Sequence, residues 1–311
     1  MSPAVAVIDI GSNSIKVLVV ARGPAGEVRE LKSRTIDARI SAGISQAQPK
    51  LRAKGMAAGL AAIKELLTVA APFSPVKTML VATSAVRDAG NGAEFRQRVK
   101  TATGHEIRIL TGDEEANLIG RGLLCDPALA GLQNFYAFDL GGGSLECLLF
   151  HDRRIHQAAS LPLGCVRLTE RFIRDAAAPL MAVESTALAL HVRDALKRSG
   201  FIFPVIAPAA VFAGGSMTTV RILQAAQQGL KFEETTAIIP LIALAGLLNE
   251  LAPLTLEQRK SIPGMPLARA DVFPVALITM VAVADYARIK RFHHSLHNLR
   301  WGLAEEILEN L

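Results

Sequence analysis

Two short stretches of the chain, VIDIGSNSIK at residues 7–16 and AFDLGGGSLE at 137–146, follow one plan. An apolar run ends in an aspartate, and an Asp-x-Gly-x-x-Ser turn leads into a second apolar run, from Asp9 to Ser14 and again from Asp139 to Ser144. Glycine admits positive φ and lets a backbone come close to what it faces. Side chains alternate along a strand, so Ser12, Ser14 and Lys16 share one face and Ile15 and Val17 the other. In the second copy Ser144 and Glu146 oppose Leu145 and Cys147 in the same way. Each copy is therefore read as a β-hairpin with one polar and one core face.

Consecutive free N–H groups in such a turn make an anion-binding concavity, and the strand-end Asp can hold a cation or orient a water. One turn of this kind is most simply an ordinary hairpin. Two copies, with a third Gly-Gly-Ser at Gly214–Ser216 opening a helix, point to phosphate groups. The space between the turns is expected to be an inter-domain cleft for phosphoryl groups and a cation.

The segments around the turns alternate in type. VAVIDI and IKVLVVA are paired strands, VRELKSRTIDARI a third, and residues 50–70 a helix stopped at Pro72. KTMLVAT and EIRIL read as strands, GAEFRQRVKTAT as a helix closed by Gly104, and TGDEEANLIGRGLL as a helix. The second half starts again with NFYAFDL, LECLLF and a further strand ending near Leu161. CVRLTERFI and residues 180–199 are helices, PAAVFAGG is a strand, SMTTVRILQAAQQ is a helix, and the remainder is mostly helical. Hairpins followed by alternating helices and strands, twice over, make an α/β protein. Its expected domains are residues 1–124 and 125–299, with a terminal helix of about 300–311 returning to the first.

The apolar stretches TTAIIPLIALAGLL and VFPVALITMVAVA fall short of the roughly 18 residues a membrane span needs and read as buried helices. No signal peptide is recognised in MSPAVAV. Three cysteines without CxxC spacing, Cys125, Cys147 and Cys165, read as reduced thiols, so a cytoplasmic location is expected. Residues 1–122 hold 17 Lys and Arg against 11 Asp and Glu, which accounts for the whole net charge of +6. This excess is either a solvated face or a surface that attracts a polyanion. With 5% aromatic residues and no base-reading motif, nucleic acid is not the expected polyanion. There is no P-loop pattern.

Together the turns resemble the superfamily of actin, sugar kinases and Hsp70 ATPases. Further stretches narrow the resemblance to the exopolyphosphatase/guanosine pentaphosphate phosphohydrolase family: VIDIGSNSIKVLV, ATSAVRDAGNGAEF, ILTGDEEANLIG, FDLGGGSLE, LPLGCVRLTERF, FAGGSMTTV and IPGMPLARADV. The resemblance implies two actin-like (ribonuclease H-like) domains and hydrolysis of terminal phosphoanhydride bonds. Polyphosphate, guanosine pentaphosphate or a nucleotide would be the substrate and Mg²⁺ the cation, with Mn²⁺ as a substitute. It places the general base on Glu115 and a phosphate-binding arginine on Arg87. The metal carboxylates fall on Asp139 and Glu146, with Asp9 facing them. Ser12, Asn13, Ser14, Gly142, Gly143, Ser144, Gly214, Gly215, Ser216 and Arg269 would hold substrate. A homodimer is compatible with the family, and no membrane partner is expected.

The residues themselves separate the two neighbouring glutamates. Thr111-x-x-Glu114 is a capping-box pattern, which gives Glu114 a task at the helix start. Glu115 points about 100° away around the helix. Its local alternatives are a first-turn carboxylate favoured by the helix dipole and a catalytic group.

The chain departs from the family where PVAL stands at 274–277 and HNLRWG at 297–302, and it ends at Leu311 without the further domains of longer members. Shorter polymers or nucleotides are the expectation that follows. In HHSLH, His293 and His297 have metal-ligand spacing, with His294 beside them, but a surface or packing role is favoured. Two other functions remain open: a phosphotransferase of the same superfamily, and a non-catalytic sensor of polyphosphate or guanosine tetra/pentaphosphate.

Overall fold

The computed structural model describes residues 2–42, 44, 45, 48–204 and 209–311. They form two compact units: Met1–Ala130 together with His297–Leu311, and Gly131–Leu296.

The first unit is built on a five-stranded sheet of β1 (Ala4–Ile10), β2 (Ile15–Arg22), β3 (Val28–Ile36), β4 (Lys77–Ala82) and β5 (Ile107–Ile109), in the order β3-β2-β1-β4-β5. The first three strands are antiparallel, and β4 and β5 run parallel to β1. This mixed order is that of a ribonuclease H-like unit. Ile8, Ile10, Ile15 and Val17 have no exposed surface, and each buried side chain of this size contributes about 1.5–3 kcal/mol. Val5, Val7, Leu18 and Val20 on the opposite face are buried as well, so the expected polar face is confined to the turn end of the hairpin, around Asp9 and Lys16.

Helices α1 (Ala53–Ala70), α2 (Ser84–Arg87), α3 (Gly92–Thr103) and α4 (Gly112–Leu124) fill the connections. Gly104 closes α3 at φ 74°, as its position after the last helical residue predicts. Among the described residues one stretch, Ala53–Phe73, is long and apolar enough to cross a membrane. Met56, Ile63, Leu66 and Ala70 of α1 are buried within the first unit's core, which is the ordinary use of such a face.

The second unit has a six-stranded sheet of β6 (Phe135–Leu140), β7 (Leu145–His151), β8 (Arg154–Leu161), β9 (Ala209–Ala213), β10 (Ile238–Pro240) and β11 (Arg291–His294), ordered β10-β11-β9-β6-β7-β8. Its helices are α5 (Cys165–Phe172), α6 (Ala182–Arg198), α7 (Gly215–Gln228), α8 (Leu241–Leu251), α9 (Leu256–Lys260) and α10 (Phe273–Ala287). Phe138, Phe212 and Phe292 pack as a ring cluster, with centroids 5.9 Å apart for the first pair and 5.2 Å for the last. They lock together β6, β9 and β11, whose C-terminal ends carry the polar residues described below. Pro208, counted in the strand PAAVFAGG, lies outside the described residues.

Two expectations are amended here. The stretch after residue 229, read as mostly helical, holds four α-helices but also β10 and β11, which extend the second sheet at its edge. The apolar run TTAIIPLIALAGLL does not form a buried helix: it is divided between β10 and α8, and Ile242 on α8 is 81% exposed. Leu244, Leu247 and Leu251 of α8 are buried, and Leu241, Ala243 and Leu248 pack partly buried against the same core. The second run, in α10, is buried on nearly every face as expected.

The last helix, α11 (Leu299–Glu309), belongs to the first unit. It crosses α4 so closely that a Cβ on Gly302 would collide with the Leu118 carbonyl, and one on Gly122 with that of Asn298. Arg300 on α11 also donates to the Val17 carbonyl at 3.2 Å.

Candidate active site

In the first unit the turn after β1 closes with the Gly11 N–H on the Ser14 carbonyl at 3.2 Å. The Ser12 carbonyl accepts from Ser41 N–H (3.2 Å) and the Asn13 carbonyl from Arg39 N–H (2.8 Å). The carbonyls are thus taken up by neighbouring chain, while the N–H groups of Ser12, Asn13 and Ser14 meet no acceptor among the described residues. All three side chains are buried, and the Ser12 hydroxyl lies 3.3 Å from that of Ser84. Asn13 is 5% exposed, and neither polar atom of its amide has a partner among the described residues. Such an orphaned pair costs free energy unless a ligand completes it.

Asp9 stands opposite Lys16 across β1 and β2. Desolvation pushes its carboxyl above the usual carboxylate range, and the nearby charges of Lys16 and Arg300 pull the other way.

Glu115, on the first turn of α4, is 6% exposed. Arg87 Nη1 donates to its Oε2 at 3.0 Å and to the Leu110 carbonyl at 2.9 Å, while Arg87 Nε reaches Asp88 at 3.4 Å. The guanidinium therefore fixes the direction of the Glu115 carboxylate. Glu114 does what its spacing predicts. Its carboxylate accepts the Thr111 N–H at 2.8 Å, and its own N–H donates to Thr111 Oγ1 at 3.2 Å. The backbone bond to Thr111, followed by Arg108, holds its carboxyl below the usual range.

The second unit repeats the turn with different surroundings. Gly141 N–H bonds the Ser144 carbonyl at 3.0 Å. The start of α5 takes up the remaining carbonyls: Cys165 N–H donates to Gly141, and Val166 and Arg167 N–H to Gly142. Here too the N–H groups of Gly142, Gly143 and Ser144 meet no acceptor among the described residues. Gly164, the residue before α5, lies so near that a Cβ on it would strike the backbone of Gly142 and Gly143.

Asp139 and Glu146 are directly paired across β6 and β7 and both are buried. Ser160 on β8 donates to Glu146 Oε1 at 2.8 Å. Gly214 has φ 88° and packs so tightly on Asp139 that a Cβ would touch Oδ1. Arg269 lies over Gly215, its Cζ 2.6 Å from where a Cβ there would sit. No side chain caps α7, which leaves its first N–H groups to whatever approaches. Asp139, Glu146, Ser144, Gly214, Gly215, Ser216 and Arg269 are therefore gathered in one unit, and Asp9, Ser12–Ser14, Arg87 and Glu115 lie in the other. Asp139 and Glu146 carry carboxylates, the class of hard oxygen donor that Mg²⁺ takes. Among the described residues no three His, Cys, Asp or Glu side chains form a metal-holding group.

The histidines of HHSLH separate. His294 Nδ1 lies 3.3 Å from Arg221 and Nε2 3.3 Å from Thr218. His297 belongs to the first unit, its ring tilted by 37° against that of Trp301 with centroids 3.8 Å apart, and it reaches Asp126 at 3.5 Å. His294 thus sits in a hydrogen-bonded cluster of the second unit, and His297 lies against an aromatic ring of the first. The three thiols are unbridged, and burial pushes that of Cys147 far above its ordinary range.

Arg167 was not singled out by the sequence reading. Its Nε donates to the Gly143 carbonyl at 2.9 Å, which places a guanidinium against the second turn. Its only signal was its position in LPLGCVRLTERF, three residues after the glycine that meets the turn.

Residues 7–311 match the Ppx/GppA phosphatase family model. Among solved structures the chain is similar to an exopolyphosphatase from Cytophaga hutchinsonii ATCC 33406, with 22% identity, TM-score 0.87, and 99% of this chain and 98% of that one covered. It is also similar to the Aquifex aeolicus member of the Ppx/GppA protein family, with 21% identity, TM-score 0.80, and 100% and 99% covered. At these identities the structural likeness is one of fold.

Proposed function

This chain belongs to the Ppx/GppA phosphatase family, and on that premise we propose that it hydrolyses terminal phosphoanhydride bonds of polyphosphate or guanosine pentaphosphate. The observation that carries the reading is the matched pair of turns. Each spends its carbonyls on neighbouring chain and leaves three consecutive N–H groups without an acceptor among the described residues. Arrays of this kind recognise oxyanions. The buried amide of Asn13 adds a donor that lacks a partner among the described residues.

In this reading the turn amides and Arg269 take the non-bridging phosphate oxygens. Arg87 contributes positive charge and holds Glu115, whose carboxylate accepts the proton of the attacking water. Fixed donors of this sort stabilise charge as it develops without reorganising, the largest single contribution in many phosphoryl transfers. Asp139 and Glu146 would hold Mg²⁺, which neutralises phosphate charge when bound. Two carboxylates leave room for water and phosphate oxygens around the ion, the usual habit of Mg²⁺. The unbridged thiols fit a reducing compartment.

Phosphate release measured in parallel on polyphosphate, guanosine pentaphosphate and ATP tests the function. Release from the first two is expected. Binding without release would make the chain a sensor, and transfer to an added acceptor in place of water would make it a phosphotransferase. In the same assay exhaustive EDTA treatment is expected to abolish turnover and added Mg²⁺ to restore it. Undiminished activity in EDTA would remove Asp139 and Glu146 from a metal role.

The charge excess has its own test. The residues of β3, RELKSRT among them, are largely exposed, and several carry positive charge. If this surface steers polyanions, kcat/KM for long polyphosphate should fall more steeply with salt than that for a nucleotide. Equal slopes would leave it a solvated face.

A further inference from the structure

We propose that Arg221, His294 and Thr218 form a one-way hydrogen-bond relay that positions the Gly214–Ser216 turn, which makes them positioning residues for phosphate binding. The proposal rests on the reading of that turn as a phosphate site.

The direction of the relay follows from what each group can donate. A guanidinium has no acceptor, so Arg221 Nη1, 3.3 Å from His294 Nδ1, donates to it. With Nδ1 accepting, the proton of the neutral ring sits on Nε2. That N–H faces Thr218 Oγ1 at 3.3 Å. Having accepted there, the hydroxyl spends its one hydrogen on the Gly214 carbonyl at 3.1 Å. A proton on Nδ1 would set two donors against each other, so the order of the chain has one solution.

Both ends are anchored. Arg221 is 7% exposed, an unusual depth for a charged side chain. Its Nε donates to Thr235 Oγ1 at 3.1 Å, and its Nη2 to the carbonyls of Phe232 (3.0 Å) and Thr235 (2.9 Å). The Phe232 ring lies 4.2 Å beneath it. His294 is carried on β11, parallel to β9, and Ser295 N–H bonds the Phe212 carbonyl at 3.2 Å. Arg221 and His294 are thus rigid, and what they hold is the residue with least intrinsic restraint. Gly214 has no side chain, a left-handed φ of 88° and no side-chain cap at the helix it starts. Its carbonyl accepts the Thr218 hydroxyl as well as the Thr218 N–H (3.2 Å). A rotation of that peptide would swing the amides of the turn and move Gly214 off Asp139.

The experiment uses the full chain labelled with ¹⁵N, as parent, Thr218→Val and Thr218→Ser, with tripolyphosphate as the probe. Imidazole ¹⁵N shifts should report the proton of His294 on Nε2, and a proton on Nδ1 would overturn the relay. Tripolyphosphate should shift the Gly215 and Ser216 amides of the parent and of Thr218→Ser. Thr218→Val, which keeps shape and loses the hydroxyl, should move these amides before any ligand is added. Its kcat/KM should fall by roughly tenfold, the worth of one hydrogen bond, mainly through KM. Thr218→Ser should restore it, whereas a purely structural role would change the melting temperature alone. Unchanged amides and kcat/KM in Thr218→Val would overturn the relay. Parent amides that ignore tripolyphosphate would instead overturn the phosphate site beneath it, and the relay's purpose with it.

Discussion

Glu115→Gln is expected to lower kcat for phosphate release by roughly 10²–10⁴-fold, the usual contribution of a positioned general base. Glutamine keeps the size of the side chain and can still accept from Arg87 Nη1, now 3.0 Å away. Melting temperature and substrate binding should therefore change little. Glu114→Gln is the matched control. It can still close the capping box and loses only an exposed pairing with Arg108, worth about 0–1 kcal/mol. Glu114→Ala removes the box and should lower stability by about 0.5–2 kcal/mol with kcat retained. Normal turnover by Glu115→Gln beside an inactive Glu114→Gln would exchange the two roles. If neither variant changes kcat, the proton goes elsewhere and the mechanism is wrong.

Gly164→Ala should be nearly as damaging, for a different reason. Gly164 has φ −66° and ψ 146°, a conformation that alanine adopts without strain. The added Cβ would nonetheless land on the backbone of Gly142 and Gly143. Those atoms cannot rotate away as a side chain could, so the turn must move. Overpacking of this kind costs about 1–3 kcal/mol, and a shift of about 1 Å in a group that orients phosphate can cost roughly 10²-fold in kcat/KM. Gly131→Ala, where nothing lies within 4 Å of the new atom, should match the parent in both measurements. Parental activity in Gly164→Ala would mean that the second turn need not be held where it stands.

What could be read from the chain beforehand was what is local. The two hairpins were legible because an apolar run, an Asp and a Gly fall within ten residues of each other. The division of labour between Glu114 and Glu115 was legible because a capping box is defined by spacing alone, and both of its bonds are present. Strands β10 and β11 were not, because three or four residues containing a proline or two histidines carry no alternation to count. The buried arginines were also hidden. Arg259 is 3% exposed and donates to the carbonyls of Ala176, Ala178, Leu254 and Ala270, which lie far apart in sequence. Arg221 is of the same kind. Composition places such residues at the surface, and only tertiary structure supplies the carbonyls that let them leave it.

The crossing of α4 and α11 also sets an order of events during synthesis. A nascent chain emerges from the ribosome in sequence order, and domains ordinarily fold as they appear. Here the partner that Gly122 awaits is made only after the whole of the second unit. Until then the α4 surface around Leu118 and Gly122 must remain uncovered, and the second unit can mature first although it is encoded later. Any nonsense codon or protease cut that removes residues 297–311 therefore strikes the opposite end of the chain, taking from the N-terminal sheet the helix that packs on β1 and β2 while sparing every strand of Gly131–Leu296.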